Sequence, residues 1–207
     1  MIDGISATRT PMTVAVRLTS LHRRRLREVW RSAVWPAQDI VEAELLAMGL
    51  LERQHDAAGR CTLRVTDAGI QTLAESAALN RAARSDHETL VEQVAQAMVR
   101  EGRIAWRGLS LRARVVTDEV EGWQMAMPDV FSVRHPSVAA YLQPVVHEIK
   151  VRRADLLADL RRPAKRAAYL DMAGAVVYVL AEGIGRADEV PPECGVMEMR
   201  AGVLETL

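Results

Sequence analysis

Lysine is almost missing from this chain: only Lys150 and Lys165 stand among 27 basic residues, and all the others are arginine. Arginine's planar fork suits phosphates and carboxylates, whereas lysine is a compact point charge whose pKa shifts readily. A chain that favours arginine this strongly yet keeps lysine twice points to two places that need an ammonium, the alternative being chance. Cysteine is as scarce. Cys61 and Cys194 lie far apart and form no C-x-x-C pair, which argues against a disulfide framework or a cysteine-built zinc site and fits a reducing cytoplasm. His22, His55, His87 and His135 are scattered without metal-ligand spacing. Neither sign of charge is in excess: the net charge is +0, so any nucleic-acid surface has to be local. No apolar run approaches a membrane span, and the opening residues hold no signal-peptide core. The expectation is a cytoplasmic protein with no membrane partner. Its 207 residues, 49% hydrophobic, suffice for one large domain or two small ones.

Against this background one stretch stands out, Val145-Val146-His147-Glu148-Ile149-Lys150-Val151. Its β-branched residues predict a short buried strand. Residues two apart share a face, so Glu148 and Lys150 project side by side while His147 points the other way. A buried strand rarely carries two charges unless they are paired or used.

The chain predicts an irregular start over residues 1–13 and a short strand at Val14-Ala15-Val16. Thr19 or Ser20 can cap a helix through Leu21, Leu26, Val29 and Trp30, with arginines on its polar face. Pro36 suits the first turn of a second helix, which carries Ile40, Val41, Leu45 and Leu46 and stops at Gly49. A strand from Leu50, a turn at 57–60, a returning strand Cys61–Val65 and a helix after Thr66-Asp67-Ala68-Gly69 complete the first part.

The stretches LLAMGLLERQ, HDAAGRCTLRV and TDAGI, in this helix, helix, strand, turn, strand, helix order, resemble MarR-like winged-helix proteins. The resemblance implies that the helix before Gly49 enters the major groove and the hairpin tip meets the DNA backbone. Here that helix offers Gln38, Asp39, Glu42 and Glu44, an acidic set that departs from a DNA reader. The basic residues lie elsewhere: Arg23, Arg24 and Arg27 on the preceding helix, Arg60 and Arg64 at the wing. They suit DNA contact, or the unit serves protein docking or dimerisation.

Residues 76–84 are expected to finish a helix, so that the winged-helix domain covers 1–84 and a second domain 85–207. Ser85-Asp86-His87-Glu88 has the pattern of a capping box opening a new helix through Leu90, Val91, Val94 and Met98. Two strands joined around Gly108–Ser110 follow, with Trp106 and Trp123 as core or edge aromatics. A third strand starts at Pro128-Asp129, the Glu148 strand comes next, and a helix runs from Arg153 to Arg162, where Pro163 breaks or restarts it before it closes at Gly174. A buried strand at 175–180 and a last short strand at 195–199 give α-β-β-β-α-β-β.

Asp129 precedes its strand as Glu148 and Lys150 lie on theirs. Two carboxylates at adjacent strand ends bind a hard divalent ion through oxygen, and such an ion polarises a phosphoryl oxygen and acidifies water. Pro128-Asp129…Glu148-Ile149-Lys150 with this element order resembles the PD-(D/E)xK nuclease superfamily, the restriction-endonuclease-like fold, over residues 86 to about 200. The following VRRADLLADLRRPAKRAAYLDMAGAVVYVLAEG resembles the small MmcB-like DNA-repair members, matching at Arg153, Asp155, Lys165 and Tyr169, with Arg152 in place of a small polar residue. The resemblance implies a Mg²⁺- or Mn²⁺-dependent nuclease acting on DNA, or on RNA, in bacterial repair or defence. Asp129, Glu148 and the Ile149 carbonyl would hold the metal, and Lys150 would be the catalytic lysine. Lys165 and Arg153 would touch nucleic acid, Tyr169 would stand by Lys165, and Glu88 or Glu92 would add an acidic ligand from the first helix. Two alternatives stay open: a winged-helix DNA-binding regulator, and a non-catalytic scaffold in which Glu148 and Lys150 form a structural pair. A homodimer or a protein partner through the winged helix is compatible with each.

Overall fold

The computed structural model describes residues 17–32, 35–117 and 120–207; the expected arm and the Val14-Ala15-Val16 strand lie outside them. The chain divides into two compact units, Met1–Leu79 and Asn80–Leu207.

In the first unit Thr19 caps helix α1, Ser20–Arg31: its hydroxyl accepts the His22 N–H, and His22 Nδ1 accepts the Thr19 N–H at 3.0 Å. Leu26 and Val29 enter the core, while Leu21 and Trp30, expected on the apolar face, are exposed. Helix α2, Ile40–Ala47, begins later than Pro36 suggests. Gln38 takes a positive φ of 54°, which no helix continues, and Asp39 then caps by accepting the Glu42 N–H at 2.9 Å. Strands β1, Leu51–His55, and β2, Cys61–Val65, pair antiparallel around a turn built on Asp56, which accepts the Ala58 and Arg60 N–H groups. Leu26, Leu45, Leu51, Leu63 and Val65 form the core. Gly69 explains the TDAG stretch: a Cβ there would lie 2.3 Å from the Leu50 carbonyl oxygen and 2.5 Å from Val65, so only glycine lets the next helix approach the hairpin.

That helix, α3, runs unbroken from Asp67 to Arg100, and the division between the units falls within it. The expected capping box at 85–88 does not form. Residues 76–86 contain neither glycine nor proline and are rich in alanine and arginine, so helix propensity carries the backbone straight through Ser85.

The second unit is of mixed α/β architecture. Strands β3, Arg103–Arg107; β6, Val130–Arg134; β7, Val145–Lys150; β8, Val176–Ala181; β9, Gly195–Arg200; and β10, Val203–Thr206, make one sheet in the order β10-β9-β8-β7-β6-β3. β7, β8 and β9 are parallel, and the outer pairings are antiparallel. Helices α4, Arg153–Leu160, and α5, Pro163–Ala173, form the β7-to-β8 crossover. Gly174 at φ 70° ends α5. One sheet face packs Val130, Ile149 and Val179 against Leu90 and Val94 of α3. The other packs Val146, Tyr178 and Leu180 against Leu156, Ala168 and Tyr169 of the crossover helices.

Two strands, over residues 120–126 and 203–206, were not foreseen, and the expected strand from Leu111 has a different partner. β4, Leu111–Thr117, does not join the sheet beside β3 but pairs with β5, Val120–Ala126, in a separate hairpin. Its inner residues Ala113 and Ala126 are buried in the α5-side core, whereas Trp123 is 66% exposed on its outer face. β10, short and largely exposed, extends the far edge.

Candidate active site

The alternation of β7 sends Val146, Glu148 and Lys150 to the α5 face and His147 and Ile149 to the α3 face. His147 is buried there, its Nε2 is 3.0 Å from the Ser132 hydroxyl, and burial together with the Arg103 charge pushes its pKa down to about 4. It takes no part in the constellation on the opposite face.

On the α5 face, Glu148 sits 3% exposed at the hub of an ion network. Lys150 and Lys165 both donate to its Oε1, the latter at 2.5 Å. Lys165 also donates to Asp159 Oδ1 at 2.7 Å, Lys150 lies 3.8 Å from the same oxygen, and Tyr178 donates to Asp159 Oδ2 at 2.9 Å. Two ammoniums and two carboxylates therefore balance in a nearly dry space. Burial works against the Lys165 ammonium, yet Glu148 and Asp159 outweigh it and raise its pKa. Burial likewise opposes the Asp159 carboxylate, and Lys165 and Lys150 overcome it and lower its pKa. Both lysines of the chain meet at one carboxylate oxygen. Glu148 Oε2, by contrast, is buried without a hydrogen-bond partner among the described residues.

Asp129 enters from the residue before β6. Its Oδ2 accepts the Ile149 N–H at 2.8 Å, and its Oδ1 lies 3.4 Å from His87 Nε2 on α3. Burial raises the cost of its charge, but His87 and the Ile149 amide prevail and hold its pKa below the usual range. The same contact raises the His87 pKa against burial. Asp129, Glu148 and Lys150 line one cleft of about 340 Å³, with Arg84, His87 and Arg152 on its walls.

A hard divalent cation fits this donor set. The orphaned Glu148 Oε2 is an unmet acceptor, and Asp129 is a carboxylate held ionised in the same cleft. No group of three or more His, Cys, Asp or Glu able to hold a metal occurs among the described residues. A cation held by these two carboxylates would take its remaining ligands from water or substrate phosphate.

The other expected residues divide. Tyr169 is buried, donates to the Met127 carbonyl at 3.0 Å, and carries Lys165 Nζ 5.3 Å from its ring centroid. Glu88 is exposed and does not line the cleft, and Glu92 is occupied by Arg107 and Gln96. Neither lines the cleft, to which α3 contributes His87 instead. Arg153 is not at the cleft either: it clamps Glu189 at 2.6 Å and the Ile184 carbonyl at 3.1 Å.

In the first unit the acidic set on α2 is not a bare surface. Asp39 pairs with Arg25 at 2.7 Å, Glu42 with Arg53 at 2.9 Å, and Glu44 lies 2.7 Å from His22. Glu42, expected on the exposed side, is fully buried. Arg24 is tied to Glu28 and Arg60 to Asp56, whereas Arg23, Arg27 and Arg64 are exposed and make no ion pair among the described residues.

Reasoning from the sequence missed Asp159, Tyr178 and His87. Asp159 lies six positions before Lys165, across Pro163, and only the α4–α5 bend makes that spacing meaningful. No family model matches this chain, and neither a curated protein nor a solved structure does. No helix among the described residues is long and apolar enough to cross a membrane.

Proposed function

We propose that the second unit is a metal-dependent nuclease of the PD-(D/E)xK type, hydrolysing phosphodiester bonds in DNA, and that the first unit is a winged helix that engages substrate or a partner. The observation that carries this reading is the state of Glu148. It is a buried carboxylate with one oxygen held by both lysines and the other without a hydrogen-bond partner among the described residues, in one cleft with Asp129. A purely structural ion pair gains nothing from an orphaned buried acceptor, which costs stability.

Asp129, Glu148 and the Ile149 carbonyl would hold Mg²⁺ or Mn²⁺. Such an ion supplies Lewis-acid polarisation of a phosphoryl oxygen and acidification of water. The chain's own residues do the rest. Ile149 N–H and His87 fix the Asp129 carboxylate. Lys150 places an ammonium where negative charge develops during hydrolysis, the kind of fixed electrostatic contribution that matters most in a dry cleft. Asp159 and Tyr178 position Lys165 beside it.

The test is cleavage of single- and double-stranded DNA with Mn²⁺ by the full chain and by Lys150→Ala. Cleavage by the wild type that falls about 10²-fold or more in the variant supports the reading. Equal behaviour of the two, or no cleavage of any substrate, defeats it and favours a scaffold or a winged-helix regulator.

A further inference from the structure

The β4–β5 hairpin stands outside the main sheet and contributes no residue to the lining of the cleft. Its inner face is spent on the core through Ala113 and Ala126. Its outer face is built differently. The register sets Arg112 opposite Met125 and Arg114 opposite Trp123, and directly opposed residues share a face. Trp123 and Met125 are 66% and 57% exposed, and the Arg112 guanidinium lies 5.3 Å from the Trp123 ring centroid. Trp123 and Met125 on one face make a contiguous exposed apolar patch, the kind of surface that marks an interaction site.

Behind this face, where the end of β5 meets the start of α5, lies a cavity of about 540 Å³ lined by Gln124, Met125, Met127, Arg161, Arg162 and Lys165, and by no carboxylate. Arg161 and Arg162 are exposed and make no ion pair among the described residues. Lys165 belongs to both places, lining this cavity while its Nζ touches Glu148.

We propose that the outer face of the β4–β5 hairpin, with the cavity behind it, binds single-stranded DNA and delivers it to the Glu148 cleft; this rests on the nuclease reading above. Charge complementarity selects the occupant. Arg112, Arg161 and Arg162 match a phosphate backbone, and Trp123 backed by Arg112 is a stacking platform with a cation–π component. A duplex buries its base faces, so an isolated exposed indole stacks only on unpaired bases. Lys165 then joins the strand path to the candidate catalytic carboxylate, which makes the substrate single-stranded or locally unpaired.

The test uses the full chain and a fluorescein-labelled oligonucleotide of about 20 nucleotides, longer than a single aromatic-lined groove covers. Anisotropy is read in EDTA, where metal-dependent cleavage is absent. The single strand is expected to bind more tightly than the blunt duplex of the same length. Trp123→Ala is expected to weaken it on the order of ten-fold, and Trp123→Phe, which keeps a stacking ring, to restore most of the loss. Arg161→Ser with Arg162→Ser is expected to flatten the salt dependence of binding. Under Mn²⁺, Trp123→Ala should raise KM more than it lowers kcat. Unchanged affinity in Trp123→Ala, or a preference for duplex, overturns the proposal. So does self-association of the wild type that Trp123→Ala abolishes without any single-strand preference, since that assigns the face to protein contact. Single-strand binding that depends on Trp123 without cleavage by the wild type upholds the surface and defeats the nuclease reading alone.

Discussion

At the scale of single residues, Glu148 serves two masters. Its Oε1 is saturated by two ammoniums and its Oε2 by none among the described residues. A cation entering the cleft competes with the lysines for the same carboxylate. Lys150→Ala is therefore expected to bind Mn²⁺ more tightly than the wild type while cleaving far less, measured by isothermal titration beside the cleavage assay. Weaker Mn²⁺ binding in the variant would show that Lys150 supports the metal site rather than competing with it. Asp159→Asn separates structure from chemistry. It keeps the shape that accepts the Tyr178 hydroxyl but leaves the buried Lys150 and the half-buried Lys165 facing one carboxylate. Breaking a buried network this way costs on the order of 3 kcal/mol, read as a lower urea midpoint. A loss below about 1 kcal/mol would mean that the network is solvated like a surface pair. Glu148 and Lys150 could be picked out beforehand because a charged strand interior is conspicuous in one dimension, and Asp129 because it opens the neighbouring strand. Asp159 and His87 could not, since Asp159 acquires its meaning from the bend between α4 and α5 and His87 from a strand far along the chain.

Elements show the same division. β7 and β8 were readable because β8 is a continuous apolar run and β7 is rich in valine and isoleucine. β5 was not, because it alternates Trp123 and Met125 on its outer face with Gly122 and Gln124 on its inner face, which looks like neither a buried strand nor a polar-faced one. Helix α2 was legible in kind and misread in orientation. Its acids appeared to form an exposed face, yet Glu42 is buried against Arg53 and the Gln38 N–H. That burial has a pH signature. Desolvation pushes the Glu42 pKa up, but Arg53 and the Gln38 and Ala37 amides prevail and lower it from its ordinary 4.5. A lowered carboxylate pKa contributes stability that is complete above the unfolded value and is lost as pH falls through the folded one. The first unit should thus keep its stability from neutral pH to about pH 5 and lose it progressively in more acid solution. Glu42→Gln should be less stable at neutral pH and show a flatter acid limb, followed by urea unfolding at a series of pH values. Parallel curves for the two proteins would show that Glu42 is not the group that titrates.

For the whole molecule, the cleft's poverty in ligands becomes a statement about order of events. Two carboxylates and a backbone carbonyl leave much of the coordination sphere of a hard cation to water or phosphate, and no larger acidic group is present among the described residues. If phosphate oxygens complete the sphere, cation and polynucleotide must bind cooperatively, and linkage makes the effect equal in both directions. The Lys150→Ala protein, which should not consume its substrate, allows this to be measured. Titrating Mn²⁺ with and without a saturating single strand should move the midpoint to lower Mn²⁺ by several-fold, and Mn²⁺ should strengthen strand binding by the same factor. Asp129→Asn added to that variant should abolish the coupling while leaving metal-free strand binding at the hairpin face intact, because Trp123, Arg112 and the cavity behind them lie apart from Asp129 in the contacts that define each site. Independent binding of the two ligands would mean that the cation sits away from the phosphate, and would remove the geometric basis for assigning hydrolysis to this cleft.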